Sequence, residues 1–172
     1  MGVIESLDAY IASQKAVAIQ FLILGVCFLV IAGFLWQLDS GSKLLQGLKT
    51  GCLVWSLLIL AGGGAYYNFC NKLHAQQLQA YEADPAQFLA AEHQRVAKVV
   101  KDFPIYQMVF AAFIVVALAV ILFVHKAFFS GLAFATLLLF SVLMLIEAYS
   151  KTSIEAHFAQ LEAALGVIYS EE

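Results

Sequence analysis

Residues able to do chemistry are few in this chain, and most lie outside its apolar stretches. His74, His93 and His157 sit in polar segments, with Glu92 directly before His93. Three imidazoles could converge on a metal if their helices packed together. However, no Cys-x-x-Cys or Glu-x-x-His partner accompanies them, so they are read as solvated or hydrogen-bonding groups, and no metal or cofactor is expected. Glu147 is the one ionisable residue close inside an apolar stretch, where such groups usually mark ion or proton paths. Lys151 lies four residues later on the same helical face, so an interfacial Glu147–Lys151 pair is expected instead. Gln107 is similarly shallow.

Cys27, Cys52 and Cys70 share no evident depth. Cys52 and Cys70 are separated by about 27 Å of helix, and a disulfide needs Cα atoms within about 7 Å. They are read as small packing residues. Gly-x-Ser-x-Gly, His-Glu-x-x-His, phosphate-loop and dinucleotide patterns are all missing from the sequence. No catalytic residue is assigned and no enzyme activity is expected.

The elements that must carry these residues are four long apolar segments, approximately 16–38, 50–67, 104–124 and 128–148. A helix of about 20 apolar residues crosses a hydrocarbon core about 30 Å thick. The composition agrees, at 63% hydrophobic and 12% charged residues, with a mean hydropathy of +0.87. A net charge of −3 gives no basic footprint for nucleic acid. The expected fold class is an all-α membrane protein: one integral domain, 1–172, built as a four-helix transmembrane bundle with cytoplasmic amphipathic extensions. These extensions are expected near 2–14, 68–82, 85–101 and 149–166. The first is expected to lie in the membrane interface or to dock on the bundle. Asp84-Pro85-Ala86-Gln87 reads as a helix restart with Asp84 as N-cap. Pro104 is expected in the first turn of the third span. Asp39-Ser40-Gly41-Ser42 reads as an outer turn. Trp36, Tyr66, Tyr67, Tyr106 and Tyr149 sit near span ends, as in an aromatic belt.

Lys15, Lys72, Arg95, Lys98, Lys101 and Lys151 flank one end of the spans, and Lys43, Lys49 and Lys126 the other. This bias predicts both termini in the cytoplasm, in a bacterial inner membrane. The pattern Ala-Tyr-x7-His-x2-Gln-Leu occurs at Ala65 and again at Ala148, a shift of 83 positions that also superposes Lys15 on Lys98. It suggests a tandem duplication of a helical hairpin.

Small residues mark expected helix contacts. They are Cys52, Ser56 and Gly63 on one face of the second span, the run Gly62-Gly63-Gly64, the pair Gly131 and Ala135 on the fourth, and Gly25 with Ala32 on the first. The triple glycine is alternatively a hinge.

The expected function is binding of another membrane protein or a membrane-active segment, as an immunity-type protein or accessory subunit. The surface expected to do this is cytoplasmic and includes His74, Arg95, Lys98 and His157. A small channel or transporter assembled as a homo-oligomer is the alternative, and a membrane enzyme acting on lipid or quinone is a third class. The expected partners are the bilayer and a membrane protein, with no nucleic acid.

Overall fold

A computed structural model describes residues 2–38 and 41–170, with the side chains of 167–170 left out of the description; Asp39 and Ser40 of the expected outer turn lie outside the described residues. The chain forms four helices, α1 (Val3–Gln37), α2 (Lys43–Ala83), α3 (Pro85–Phe123) and α4 (Ala127–Ser170). All four contain a stretch long and apolar enough to cross a membrane. They run 35 to 44 residues, roughly 50–65 Å at about 1.5 Å per residue. Each is therefore about twice as long as the hydrocarbon core is thick, and the surplus of all four lies at one end, where both termini and the α2–α3 turn meet. The four membrane-type helices thus continue at that end into a second packed core.

Two expected breaks are absent. Residues 2–14 do not form a separate interfacial helix but are the first turns of α1, upright and docked through Leu7, Tyr10 and Ile11. Likewise α3 runs unbroken through Pro104. A proline there removes one backbone hydrogen bond, and the helix continues despite the loss. The restart at Asp84 has the expected form: its carboxylate accepts from the N–H groups of Ala86 and Gln87, both at 3.0 Å.

Each half has its own core. In the extension, Leu7, Tyr10, Ile11, Leu73, Phe88, Leu89, Val96, Phe103, Ile154 and Leu161 pack together. In the membrane half, Phe28, Ala32, Cys52, Ala135, Leu139, Phe140 and Leu143 do so. This second core lies on a close seam between α2 and α4. A Cβ added to Gly47 would strike the Phe128 carbonyl, and one added to Gly131 would strike the Leu44 carbonyl. One turn on, Gly51 faces Ala135 at 2.7 Å from the same imagined Cβ. Trp55 Nε1 donates to Thr136 Oγ1 across the seam at 3.0 Å, and Ser56, fully buried, donates to its own helix at Leu53. Between α1 and α2, a Cβ added to Gly25 would press on the Leu60 side chain, and one added to Gly63 would lie 3.2–3.3 Å from atoms of Phe21, Ala18 and Leu22.

Of the triple glycine, only Gly63 packs. A Cβ on Gly62 or Gly64 would meet nothing within 4 Å, because consecutive helical positions point about 100° apart and only one can face α1.

α3 is the outlier. Between Pro104 and Phe123 its only buried residue is Ala117. Met108, Val115, Val116, Leu122 and Phe123 are each 60–75% exposed.

Candidate functional site

Polar chemistry concentrates in the water-facing extension, along a stripe of α1. Ser6, Tyr10 and Gln14 recur at helical i, i+4, i+8 spacing, and all three are buried. Glu92 of α3 and His157 of α4 come in against this stripe. The Glu92 side chain is fully buried, and one turn along α3 Arg95 grips both its oxygens, with Nε donating to Oε2 at 2.7 Å and Nη2 to Oε1 at 2.6 Å. The His157 ring stacks on Tyr10 with centroids 4.7 Å apart. Its Nδ1 is 2.7 Å from Ser6 Oγ, and its Nε2 lies 3.5 Å from Glu92 Oε1 without an aligned hydrogen bond. A proton on Nε2, facing the carboxylate, leaves Nδ1 to accept from the Ser6 hydroxyl. The Arg95 guanidinium also covers the Tyr10 ring, at 5.5 Å from its centre.

The electrostatics follow from this packing. Burial alone would push the Glu92 carboxyl up, but the hydrogen bonds and charge of Arg95, helped by His157, outweigh it and hold Glu92 below the usual carboxylate value. Arg95 is held above its ordinary value: burial opposes its charge, but Glu92 and Tyr10 more than compensate. Burial raises the Tyr10 phenol, and Arg95 partly offsets it. The Glu92–Arg95 pair is thus ionised at neutral pH. Higher on the same stripe, Tyr66 donates to Gln14 Oε1 at 2.6 Å, and Gln14 Nε2 is buried without a partner.

A crevice of about 90 Å³ opens beside Ser6 and His157, bordered also by Tyr10, Ser153 and the exposed Ala9 and Ala156. A second hollow, of about 140 Å³, lies in the apolar half between α3 and α4, against Phe113, Val116, Ala117 and Leu132.

Of the residues expected to form one surface, Arg95 and His157 converge on Glu92, while His74 and Lys98 lie apart from them. His157 is 3% exposed and belongs to the interior. Arg95 is committed to Glu92. His74 bonds Asp8 of α1 at 2.8 Å, and Lys98 is exposed. His93 stacks on Phe158 and lies 4.0 Å from Glu162, so the three histidines face separate partners. The expected Glu147–Lys151 pair does not form. Lys151 reaches instead to Glu155, 3.5 Å away and also four residues along, because that carboxylate lies on the polar side of the helix, away from the span.

Ser6, Tyr10, Gln14 and the pairing of Glu92 with Arg95 went unassigned in the sequence. Their polar i, i+4 recurrence inside an amphipathic stripe was the available signal. Gly47-x3-Gly51 went unassigned as well, because the second span was expected to begin only at Thr50.

The fold and its polar cluster thus define a four-helix membrane-type bundle whose helices extend into a second core holding a buried Glu92–Arg95 pair. No family model, curated protein or solved structure matches the chain.

Proposed function

We propose that this chain is a membrane-anchored scaffold that acts by binding another membrane protein, in an immunity-type or accessory-subunit role. Its working surface is the flank of the third span. The observation that carries this reading is the isolation of that span, in which Ala117 alone is buried between Pro104 and Phe123. The base of α3 is fixed in the extension core by Phe88, Leu89, Val96 and Phe103. Its upper half leans on α4 along one line and offers the rest of its circumference to the bilayer. A second helix can dock there without repacking the scaffold.

The channel alternative needs a polar lining. Glycine and alanine draw α2 and α4 together on the bundle axis, and Phe28, Leu139 and Phe140 fill the space beside them. A pore would therefore have to form between protomers.

The lysine and arginine bias puts the extension, both termini and the α2–α3 turn in the cytoplasm of a bacterial inner membrane. Duplication of a hairpin is supported by the reciprocal seats on the seam. Gly47 rests against the Phe128 carbonyl and Gly131 against the Leu44 carbonyl, and the two glycines, like the two carbonyls, are 84 positions apart. That is one more than the shift relating His74 to His157.

The test is site-specific photocrosslinking in native membranes. A photoreactive residue at Val116 or Met108 should give a discrete protein adduct, and the same residue at Val30, equally exposed on α1, should not. Lipid adducts alone at all three positions would overturn the binding role. Strong alkaline phosphatase activity from a fusion after Ala83 would overturn the orientation.

A further inference from the structure

Beyond any binding role, the geometry points to Ser6 as a nucleophile activated by His157, able to take part in transfer or hydrolysis of short acyl esters on the water-facing extension. Three observations combine. The nucleophile and base are in contact, Ser6 Oγ to His157 Nδ1 at 2.7 Å. The far side of the imidazole faces a carboxylate, Glu92, at 3.5 Å, and Arg95 fixes that carboxylate at 2.6 and 2.7 Å. A crevice open to solvent runs along the Ser6–His157 contact, with Ser153 on its wall. Nucleophile, base and orienting group come from three different helices, so the arrangement is tertiary and is not a by-product of local helix geometry.

The roles follow from the atoms. With its proton on Nε2 toward Glu92, His157 presents a lone pair on Nδ1 to the Ser6 hydroxyl. Ser6 Oγ attacks the acyl carbonyl carbon, and its proton passes to Nδ1. The positive imidazolium is then met by the Glu92 carboxylate. The bond to the leaving alcohol breaks, and that alcohol takes the proton from Nδ1. Water next attacks the Ser6 ester and gives its proton to Nδ1. The carboxylic acid departs, and the proton returns to Ser6 Oγ. Ester and water are consumed, acid and alcohol are produced, and no co-reactant is needed. Ser6 and His157 are the catalytic residues, whereas Glu92 and Arg95 are positioning residues that orient the ring and hold its counter-charge. Ser6 also lies in the second turn of α1, toward the end of the helix dipole that favours negative charge.

The crevice sets the substrate class. Its volume of about 90 Å³ accommodates an acetyl or similarly short acyl group, with the alcohol left outside on the open side.

The full chain in detergent or liposomes is treated with a small dialkyl fluorophosphonate, and the adduct is mapped by mass spectrometry. In parallel, hydrolysis of p-nitrophenyl acetate is followed across pH. The expected result is one adduct, on Ser6, lost when the protein is unfolded in urea, and acetate turnover lost in Ser6→Ala with unfolding behaviour unchanged. Glu92→Gln preserves shape and removes the counter-charge, so turnover should fall about 100-fold and its pH profile should shift. The wild-type measurement decides even where a variant fails to fold. A folded wild-type protein without a Ser6 adduct overturns the assignment, as does labelling that persists in urea or is undiminished in folded His157→Ala.

Discussion

The water-facing extension and the membrane half are built from the same four helices but held together by opposite means. In the extension, large side chains fill the space between helices, and a buried polar cluster joins three of them: Ser6 of α1 bonds His157 of α4, whose ring faces Glu92 of α3, itself paired with Arg95 of the same helix. In the membrane half, the central contact is made by the near absence of side chains, with Gly47, Gly51, Gly131 and Ala135 bringing two backbones together. The solvent explains the difference. Water drives apolar side chains together and rewards a large core. Lipid offers no such drive, so helices associate through close packing of small residues. A chain that crosses the boundary must therefore change its packing code along each helix.

The sharpest way to break this comparison is to add volume where the membrane code demands none. Gly131→Leu drives a side chain into the Leu44 backbone and should cost about 3 kcal/mol or more, seen as loss of folded protein in detergent. Even Gly131→Ala should be damaging. Gly62→Ala, with open space around it, should be neutral or stabilise by up to about 1 kcal/mol, since alanine is the better helix former. Equal effects at the two sites would remove the seam from the argument.

The extension should break instead by removal of charge. Glu92→Ala leaves Arg95 without its counter-ion and should cost about 3–5 kcal/mol, the usual penalty for opening a buried pair, read by thermal unfolding. The pH dependence has a definite sign. The folded-state pKa of Glu92 lies below its ordinary value, so its contribution is complete above that ordinary value, about 4.3. It is lost as the pH falls further, through the depressed folded value. Acid should therefore loosen the extension before the membrane half, as followed by hydrogen exchange of residues 85–100 against 44–56. Simultaneous loss would make the two cores one cooperative unit.

Smaller effects sharpen the picture. Thr136→Val removes the Trp55 hydrogen bond on the seam and should cost about 0.6 kcal/mol, typical of such bonds between membrane helices. Asp8→Ala removes the acceptor for His74 in a pair whose side chains are 32% and 55% exposed. Solvent screening limits that loss to below about 1 kcal/mol, a shift in unfolding midpoint near the limit of measurement.

The amino-acid sequence by itself determined that the chain is helical and that it holds four stretches apolar enough to cross a membrane, whereas the continuity of residues 3–14 with the first stretch and of 85–101 with the third only the structure decided. Uninterrupted apolar runs near 16–38 and 128–148 are long enough to cross a membrane, and a helix satisfies its backbone polar groups within itself, as lipid requires. It also determined the restart at Asp84-Pro85 and the extension stripes through Leu89, Val96, Ile154 and Leu161, since capping and periodicity are local properties. Tertiary structure alone decided which neighbours those faces meet. Gly62, Gly63 and Gly64 are equivalent as letters, yet only Gly63 packs, because orientation about the helix axis is set by α1. Arg95 and His157 read as surface groups until α1 covers them with Ser6 and Tyr10. Glu92 reads as a solvated carboxylate until Arg95 and His157 close around it. A long-range polar contact leaves no periodic trace, because its partners lie on separate helices and their spacing in sequence depends on how those helices assemble.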